Sequence, residues 1–464
     1  MKLPMSPPNV QDLVRNVDPK DLPKVLAYST PLPTGRYLHW DELRRRTPPE
    51  GLSSELWWAS VWFARSGGMQ AMPLLDKAGV PFMFAMPEPV QVHLHHIDRD
   101  AAGHDAAGQI RSPEGTPVHE SRERYLLHSL IEESITSSQL EGASTTRKVA
   151  EAMLLEGRKP RDRSERMIFN NYRAMDRIRS LRDESITPER ILELHRMITF
   201  DTLEDSGDAG RLRTGDDVKV VDNRDGTVLH DPPSHKTLPE RLERLCAFAN
   251  QGTEAKPFVH PVLRAILLHF MIGYDHPFAD GNGRTARAVF YWSMARSGYW
   301  LMEFLSISQF LRQAPRQYVQ AYLYTETDHN DTTYFVLHQL DVIRRAISGL
   351  HDYLARKTVE QREATRLLGT GWLRSKLNHR QVGLLTHALR HPGETYRVAR
   401  HQAVHNVVYQ TARADLLDLA ELGLLEKSRQ GNAFVFHAVD RLERRLEGLA
   451  RKDVVKLPGK RSAA

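Results

Sequence analysis

One twelve-residue segment constrains this chain more than any other, residues 276–287, with the sequence HPFADGNGRTAR. Residues 262–274 precede it and have the apolar character of a buried helix. Pro277 turns the chain away from that helix, because proline lacks a backbone N–H. Arg284 is placed to begin the next helix. The segment is therefore predicted to be a tight loop between two helices.

The composition of this loop is suited to binding a polyphosphate. Gly281 and Gly283 allow backbone conformations that a Cβ would forbid, so amide groups can converge on an anion. The N-terminus of the following helix also favours negative charge. Arg284 and Arg287 are three residues apart and can reach the same polyphosphate from one helix face. Asn282 can donate its side-chain amide to a phosphoryl oxygen.

Two further side chains of the loop can support attack on phosphorus. Asp280 offers a hard oxygen ligand for Mg²⁺. His276 is the only side chain here whose ordinary pKa lies near neutrality, so it can take a proton from an incoming hydroxyl. A lone histidine after a helix is usually a packing or surface residue, and a lone Asp-Gly is usually a turn. Their joint order and spacing favour the catalytic interpretation.

The loop resembles the signature of the Fic family, HPFx[DE]GNGRxxR, at every fixed position. The resemblance implies that a protein Ser, Thr or Tyr hydroxyl attacks the α-phosphate of ATP, so that AMP is transferred and pyrophosphate leaves. It implies Mg²⁺ at Asp280, catalysis by His276, and nucleotide binding by Gly281, Asn282, Gly283, Arg284 and Arg287. The Doc branch, which phosphorylates its target, has a lysine at the position of Gly283. Glycine therefore favours nucleotidyl transfer.

A second motif lies 135 residues before His276, in residues 137–142. Ser137 and Glu141 are four apart and share a helix face. This segment resembles the family's inhibitory motif, [ST]xxxE[GN], in which the glutamate pairs with the second arginine of the signature, here Arg287. A carboxylate there removes a phosphate ligand and repels the triphosphate. The resemblance implies an autoinhibited enzyme of the class whose inhibitory helix precedes the Fic core.

A β-hairpin and an aromatic residue complete the predicted site. Val218, Lys219, Val220 and Val221 face residues 227–230 across a turn-forming run. They resemble the Fic flap, which positions the target segment by strand pairing. A purely structural hairpin is the alternative. Tyr318 falls where the family often places an aromatic near the adenine, and a packing residue is the alternative interpretation for it.

Helical periodicity covers most of the rest of the chain. Helices are predicted at residues 56–64, 122–141, 147–156, 163–183, 188–200, 237–251, 261–274, 284–297, 316–323 and 334–367. Toward the end, three helices (380–389, 398–404 and 409–422) precede two short strands (424–427 and 433–436). This order is typical of a winged helix-turn-helix.

The predicted fold is mainly α, a Fic-type helical core with a β-hairpin flap, plus a C-terminal winged helix-turn-helix domain. The predicted boundaries are 1–115 for an N-terminal arm and small helical region, 116–350 for the Fic domain with its inhibitory helix, 351–375 for a linker helix, 376–445 for the winged helix and 446–464 for a basic tail.

Charge and composition indicate which classes of partner this chain can have. Residues 351–464 hold 21 Lys and Arg against 12 Asp and Glu, a net charge of +9, while the whole chain has +6. A basic end favours an anionic partner, with Arg413 the first candidate for nucleic-acid contact, and a protein partner is an equal alternative. No apolar run approaches a membrane span, and the start of the chain does not resemble a signal peptide. The single Cys246 excludes an internal disulfide, which suits the cytoplasm.

Two rival functions stay open. Some relatives with the inhibitory motif remove AMP, using the glutamate to orient a water. Alternatively, the chain is a DNA-binding regulator whose Fic site is a sensor or is idle. The sequence leaves open the target protein, modification of the protein itself, the nucleotide base and a homodimer.

Overall fold

The computed structural model describes residues 2–102, 122–222, 224–367, 376–391, 393–430 and 433–454. These residues form many helices and three small antiparallel sheets. The helices are α1 Val10–Arg15, α2 Leu22–Ala27, α3 Trp40–Leu43, α4 Ser54–Ser66, α5 Glu88–Ile97, α6 Arg122–Leu140, α7 Arg147–Glu156, α8 Arg163–Ser180, α9 Pro188–Thr199, α10 Leu238–Ala249, α11 Pro261–Asp275, α12 Asn282–Arg296, α13 Ile307–Gln313, α14 Pro315–Thr327, α15 Thr333–Leu367, α16 His379–Arg390, α17 Val398–His405, α18 Tyr409–Glu421 and α19 Leu442–Val454. The strands are β1 Gln70–Leu75, β2 Pro81–Phe84, β3 Val220–Val221, β4 Val228–His230, β5 Thr395–Arg397, β6 Leu425–Gln430 and β7 Ala433–Ala438.

The predicted mainly helical architecture is confirmed. Several elements were not predicted, and most of them are short. They are the β1–β2 hairpin, α5, α13, β5 and α19. Within the described ranges, no helix combines the length and the apolarity that a membrane span needs.

The chain divides into two compact units. The first comprises residues 1–103, 132–145 and 161–347, and the second comprises residues 104–131, 146–160 and 348–464. The predicted arm thus clusters with the first unit, and α7 clusters with the second. The glycine-rich boundary predicted at 101–108 and the end of the predicted linker helix, 368–375, lie mostly or wholly outside the described residues.

Helices α11 and α12 form the centre of the first unit. Almost every residue of both is buried, as expected for helices enclosed on all sides. Helix α12 also packs against α8 and α9. Its buried set includes Asn282, Arg284 and Arg287, which are polar or charged. Because buried charges need partners or a ligand, this end of α12 is a candidate functional site.

The N-terminal segment contributes its own packed cluster to the first unit. Val10, Val25 and Leu43 are buried there together with Trp40 and Trp58, whose rings pack edge to face. The aromatic-rich helix predicted at 56–64 is confirmed as α4. The segment predicted as an arm therefore carries short helices that bury apolar side chains.

The second unit combines α16, α17 and α18 with a three-stranded antiparallel sheet of order β5–β7–β6. The central strand β7 pairs Phe436 with both Tyr396 and Lys427. Leu385, Leu416 and Phe436 are among its most deeply buried side chains. Helix α19 crosses the boundary predicted at residue 445 and buries Leu446 against the same core. Residues 455–464 of the predicted tail lie outside the described part.

Candidate active site

The loop between α11 and α12 is shaped by two residues with left-handed backbone. His276 ends α11 with φ 45°, and Gly281 precedes α12 with φ 84°. A Cβ on Gly281 would lie 2.7 Å from Cγ2 of Thr199, so the position requires glycine for space as well as for conformation. No side chain caps the start of α12. Its first backbone amides are therefore free to face an anion.

His276 is prepared to accept a proton. Its Nδ1 lies 3.2 Å from the Gly273 carbonyl oxygen, which can only accept, so Nδ1 carries the hydrogen and Nε2 the lone pair. Burial lowers the pKa of His276 and outweighs the hydrogen bond to the Gly273 carbonyl and the carboxylate of Glu141, which raise it. The imidazole is therefore neutral at neutral pH, as a general base requires.

Arg284 carries unsatisfied donors. Its side chain is fully buried, and Nη1 donates to the Ile198 carbonyl oxygen at 3.2 Å. Nη2 lies 3.8 Å from Oδ2 of Asp280. Among the described residues, Nε and Nη2 have no hydrogen-bond partner. Since buried donors are normally satisfied and burial lowers the pKa of this guanidinium, the site is built for an anion.

Arg287 is held by the helix that precedes the core, α6. Its Nε donates to Oγ of Ser137 at 2.8 Å, and Nη2 donates to the Ser137 carbonyl oxygen at 3.0 Å. Nη2 also donates to Oε1 of Glu141 at 2.9 Å. Burial lowers the pKa of Arg287, but Glu141 together with Tyr318 and Glu133 more than offsets this, so that the net pKa is raised. The structure thus brings together the three residues that the inhibitory motif predicted.

Gly283 makes this contact sterically feasible. A Cβ at Gly283 would lie 2.1 Å from Oε1 of Glu141 and 3.0 Å from Nη1 of Arg287. The Glu141 carboxylate therefore rests on the first turn of α12, where the helix dipole favours an anion. We call this first turn, with Arg284 and Arg287, the anion cradle.

Asn282 is bonded within the loop, whereas Asp280 is partly exposed. The Asn282 side chain accepts from the Phe278 backbone N–H and donates to the Phe278 carbonyl oxygen, each at 2.9 Å. The amide thus closes the loop, and its role in binding a phosphoryl oxygen stays a prediction. Asp280 is partly exposed and lies 3.2 Å from Nη2 of Arg163. Within the described ranges, no cluster of three or more His, Cys, Asp or Glu side chains could hold a metal.

Comparison with known proteins agrees with this geometry. Residues 185–294 match the Fic/DOC family. The chain contains a Fic domain.

Curated relatives extend the match beyond that domain. The "Protein adenylyltransferase Fic" of Nematostella vectensis is 28% identical over 238 residues, which are 50% of this chain and 52% of that protein. The "Protein adenylyltransferase fic-1" of Caenorhabditis elegans is 29% identical over 184 residues, which are 38% of this chain and 33% of that protein. This chain therefore spans about half or less of the relatives' length. A crystal structure of a Fic family protein from Desulfovibrio desulfuricans G20 aligns with a TM-score of 0.47 at 17% identity, covering 77% of this chain and 98% of that one.

The Fic domain carries the predicted hairpin in shortened form. Val220 and Val221 pair with β4, whereas Val218 and Lys219 precede the strand. Val221 and Val228 are more than two-fifths exposed. His230, at the end of β4, lies 2.7 Å from the Tyr274 carbonyl oxygen through Nε2 and 2.7 Å from Oε2 of Glu326 through Nδ1. The hairpin is thus anchored at one end and exposed along its length.

Tyr318 lies in an aromatic cluster of the first unit. Its hydroxyl is 2.7 Å from Nε2 of the buried His269, and its ring packs near Tyr322 and Phe335. Tyr322 reaches the turn before His276, since a Cβ on Gly273 would lie 2.2 Å from its hydroxyl oxygen. These contacts support the interpretation of Tyr318 as a packing residue. Its contact with the adenine of a nucleotide stays a prediction.

Sequence reasoning missed His195. This fully buried side chain accepts from the Gly210 backbone N–H at Nδ1, at 2.9 Å. Nε2 therefore carries the hydrogen and donates to the Asp280 carbonyl oxygen at 2.9 Å. The ring stacks on Phe278 with centroids 3.8 Å apart. Burial lowers the pKa of His195 to about 4. A lone histidine in a helix gave no pattern that could reveal this support of the loop.

Arg213 links the catalytic loop to the segment around the hairpin. Its Nε donates to the His276 carbonyl oxygen at 3.0 Å, and its backbone N–H donates to the Pro277 carbonyl oxygen at 2.9 Å. Nη1 donates to Oδ1 of Asp216 at 2.9 Å, and Nη2 donates to the Pro233 carbonyl oxygen. Arg213 therefore fixes the backbone that carries His276.

Glu133 fixes α6 against residues 291–308. It is buried and lies two helical turns before Glu141. Its Oε2 accepts from the Tyr291 hydroxyl at 3.0 Å, the Ser306 hydroxyl at 2.9 Å and the Ser308 backbone N–H at 3.1 Å. These bonds set the register in which Glu141 meets the anion cradle.

Proposed function

We propose that this chain is an autoinhibited protein adenylyltransferase. It transfers AMP from ATP to a Ser, Thr or Tyr hydroxyl of a protein and releases pyrophosphate. The observation that carries the proposal is the occupation of the anion cradle by the chain's own carboxylate, Glu141, at the arginine predicted to hold phosphate. The relatives named as protein adenylyltransferases support the reaction class.

Triphosphate binding follows from the cradle. The uncapped amides of α12 and the unsatisfied donors of Arg284 supply hydrogen bonds to phosphate oxygens. Arg287 supplies a second guanidinium once Glu141 withdraws. Because these groups are buried and fixed before ATP arrives, they stabilise transition-state charge without reorganising.

Asp280 is the residue that would hold Mg²⁺. It is a single, partly exposed carboxylate at the mouth of the cradle, which fits an ion whose other ligands are phosphate oxygens and water. When bound there, Mg²⁺ would neutralise charge on the phosphates. Arg163 now contacts the same carboxylate and would have to give way.

His276 supplies the proton transfer. The target hydroxyl gives its proton to Nε2 while its oxygen forms a bond to the α-phosphorus. The bond from the α-phosphorus to the bridging oxygen of the β-phosphate breaks, and pyrophosphate leaves with that electron pair. Fixing of the imidazole by Gly273 and of the adjoining backbone by Arg213 keeps Nε2 in place.

The hairpin of Val218, Lys219, Val220 and Val221 is proposed to hold the target. A two-stranded sheet has unpaired backbone groups on its outer edges, and an extended peptide can add there as another strand. The exposed Val221 and Val228 supply apolar contact for its side chains. The proposal includes modification of the protein itself.

One experiment tests AMP transfer and inhibition together. Wild type, Glu141→Gly and His276→Ala are incubated with ATP and Mg²⁺, and AMP added to protein is detected by mass spectrometry. Strong labelling of Glu141→Gly, weak labelling of wild type and none of His276→Ala are expected. A Glu141→Gly protein that does not label would contradict the proposal.

Removal of AMP from a modified protein is a second candidate, favoured by the electrostatic effect of Glu141 on His276. A carboxylate near a neutral imidazole can orient a water for attack on the same phosphorus. AMP release from a labelled target is then expected from wild type and lost in Glu141→Gly. The opposite dependence on Glu141 separates this candidate from AMP transfer.

The second unit is proposed to be a winged helix that binds DNA or a protein. Its sheet order supports the assignment, as do the exposed Val408 and Tyr409 at the start of α18 and Phe434 in the β6–β7 hairpin. Lys427 lies over the Phe434 ring at 3.9 Å. Gel shifts of the full chain at rising salt test the DNA partner, with Arg413→Glu expected to abolish binding. If the gels show no salt-dependent shift, the DNA partner is excluded and the protein partner remains.

A further inference from the structure

A cavity of about 550 Å³ opens in the first unit. It is lined by the start of α1, by α4, by β2 and by the turn between α14 and α15. Its walls include Trp58, Trp62, Met69 and Met83, and its lining includes none of the residues of the active site described above. The volume is in the range of small-molecule sites, roughly 300–1,000 Å³. The cavity is therefore large enough for a ligand of its own.

Two buried carboxylates form one side of this cavity. Asp331 is satisfied, because Oδ2 accepts from the Tyr37 hydroxyl at 2.6 Å and Oδ1 from the Thr333 backbone N–H at 2.9 Å. Asp328 is not. Its Oδ2 accepts from the Tyr334 hydroxyl at 2.6 Å, while no described group donates to Oδ1. Asp328 is only 5% exposed and lies in the cavity lining, so a group in the cavity can donate to its Oδ1.

Arg65, a cation in the same lining, lowers the pKa of both carboxylates but donates a hydrogen bond to neither. Its donors reach neutral oxygens, namely the Tyr334 hydroxyl at 2.9 Å, the Leu38 carbonyl at 3.0 Å and the Pro31 carbonyl at 3.2 Å. Two buried carboxylates therefore share one guanidinium that is bonded elsewhere. Consistent with this, burial and the neighbouring Asp331 raise the pKa of Asp328 to about 6.

The lining also contains His329, and its aromatic side chains can contact a cation. Trp58 and Trp62 are the side chains best suited to attract a cation to a ring face, and methionine sulfurs adapt to irregular apolar groups. Arg65 already lies over the Tyr37 ring at 3.6 Å, which shows that the aromatic groups here accommodate a cation.

We propose that this cavity binds a small organic amine, whose ammonium group donates to Asp328 and whose apolar part lies against Trp58 and Trp62. Donation to Oδ1 would satisfy the open acceptor, and the positive charge would balance the second carboxylate. The apolar part would cover the Met69 and Met83 wall. The site stands on residues outside the cradle, so it does not depend on the proposed transfer of AMP.

Three matched probes test the charge requirement. Isothermal titration calorimetry of the full chain compares 3-phenylpropylamine, 3-phenylpropan-1-ol and 3-phenylpropionate. Saturable binding of the amine is expected, at least about tenfold tighter than that of the alcohol, because a charged hydrogen bond is lost in the neutral probe. No binding of the anion is expected. Equal affinities of amine and alcohol would overturn the proposal.

Variants locate the binding. Asp328→Asn can still accept from Tyr334, and it is expected to abolish the preference for the amine over the alcohol. Trp62→Leu leaves the carboxylates intact and is expected to weaken both probes. If either variant keeps wild-type affinities, the cavity is not the site. If Asp328→Asn loses thermal stability, the affinities of Trp62→Leu still show whether the probes bind in this cavity. A capped lysine amide that outcompetes the free amine would show that the cation belongs to a polypeptide and would overturn the small-molecule assignment.

Discussion

Glu141 and Arg287 lie 146 residues apart in sequence, and the glutamate Oε1 accepts a hydrogen bond from the arginine Nη2 at 2.9 Å. The arginine is nearly fully buried, while the carboxylate side chain is about one-quarter exposed. A buried guanidinium cannot be left without an anion at low cost. In the proposed function the glutamate and an incoming phosphate compete for this arginine, and removal of one should favour binding of the other.

Neutralising Glu141 should release the enzyme. Glu141→Gln keeps the size and the acceptor oxygen but loses the charge, so the rate of AMP transfer is expected to rise by about tenfold or more. Initial rates with labelled ATP measure the effect. Ser137→Ala is the matched comparison, and its effect should be smaller, because the Ser137 carbonyl oxygen still holds Nη2 of Arg287. An equal effect of the two variants would contradict a charge-based competition.

Gly283→Ala should destabilise the fold although it lies within a helix. Alanine usually stabilises a helix by about 0.5–1 kcal/mol relative to glycine. Here the Cβ would collide with Oε1 of Glu141. Urea unfolding should show a loss for Gly283→Ala in the wild-type background, and a smaller loss for the same change when Glu141→Ala is the reference protein. Gly448→Ala, whose Cβ would meet no atom, is the control and should stabilise α19. Additive effects of the first two changes would argue against the contact.

The pH dependence of AMP transfer should reflect neutral His276. Burial lowers its pKa below the ordinary 6.5, and Glu141 opposes that shift. In Glu141→Gly the opposition is gone, so the rate should rise with pH through a lower pKa and become level by about pH 7. A rate profile from about pH 5 to pH 8 measures this. A midpoint above the ordinary histidine value would exclude His276 as the base.

His195 should contribute to stability only where it is neutral. Its pKa is lowered from 6.5 to about 4 by burial, so its contribution is complete above 6.5 and is lost as the pH falls through about 4. His195→Gln is expected to cost about 1–3 kcal/mol at neutral pH, since two buried partners lose their bonds. Urea midpoints should show that the cost shrinks toward pH 4. The exposed His379→Gln serves as control, and a cost independent of pH would reject the assignment.

The local pattern predicted much of this molecule. Residues 262–287 predicted the helix–loop–helix around His276. Proline, glycine and an apolar run determine the backbone conformation within a few residues of their own positions. The four-residue spacing of Ser137 and Glu141 predicted their common face on α6. The long helices followed from periodicity, whereas strands of two or three residues, such as β3 and β5, left too few residues for a pattern.

Contacts between distant segments were decided only by the tertiary structure. The family resemblance named the Glu141–Arg287 pair, but the close fit of the carboxylate on Gly283 required the packed positions of α6 and α12. The roles of His195, Arg213 and Glu133 depend on backbone groups brought from other elements. The packed loop also engages Asn282 with Phe278, a contact that the sequence did not predict. Sequence thus determined which chemical groups the chain has, and packing decided which of them meet, because a residue's partners are set by the fold.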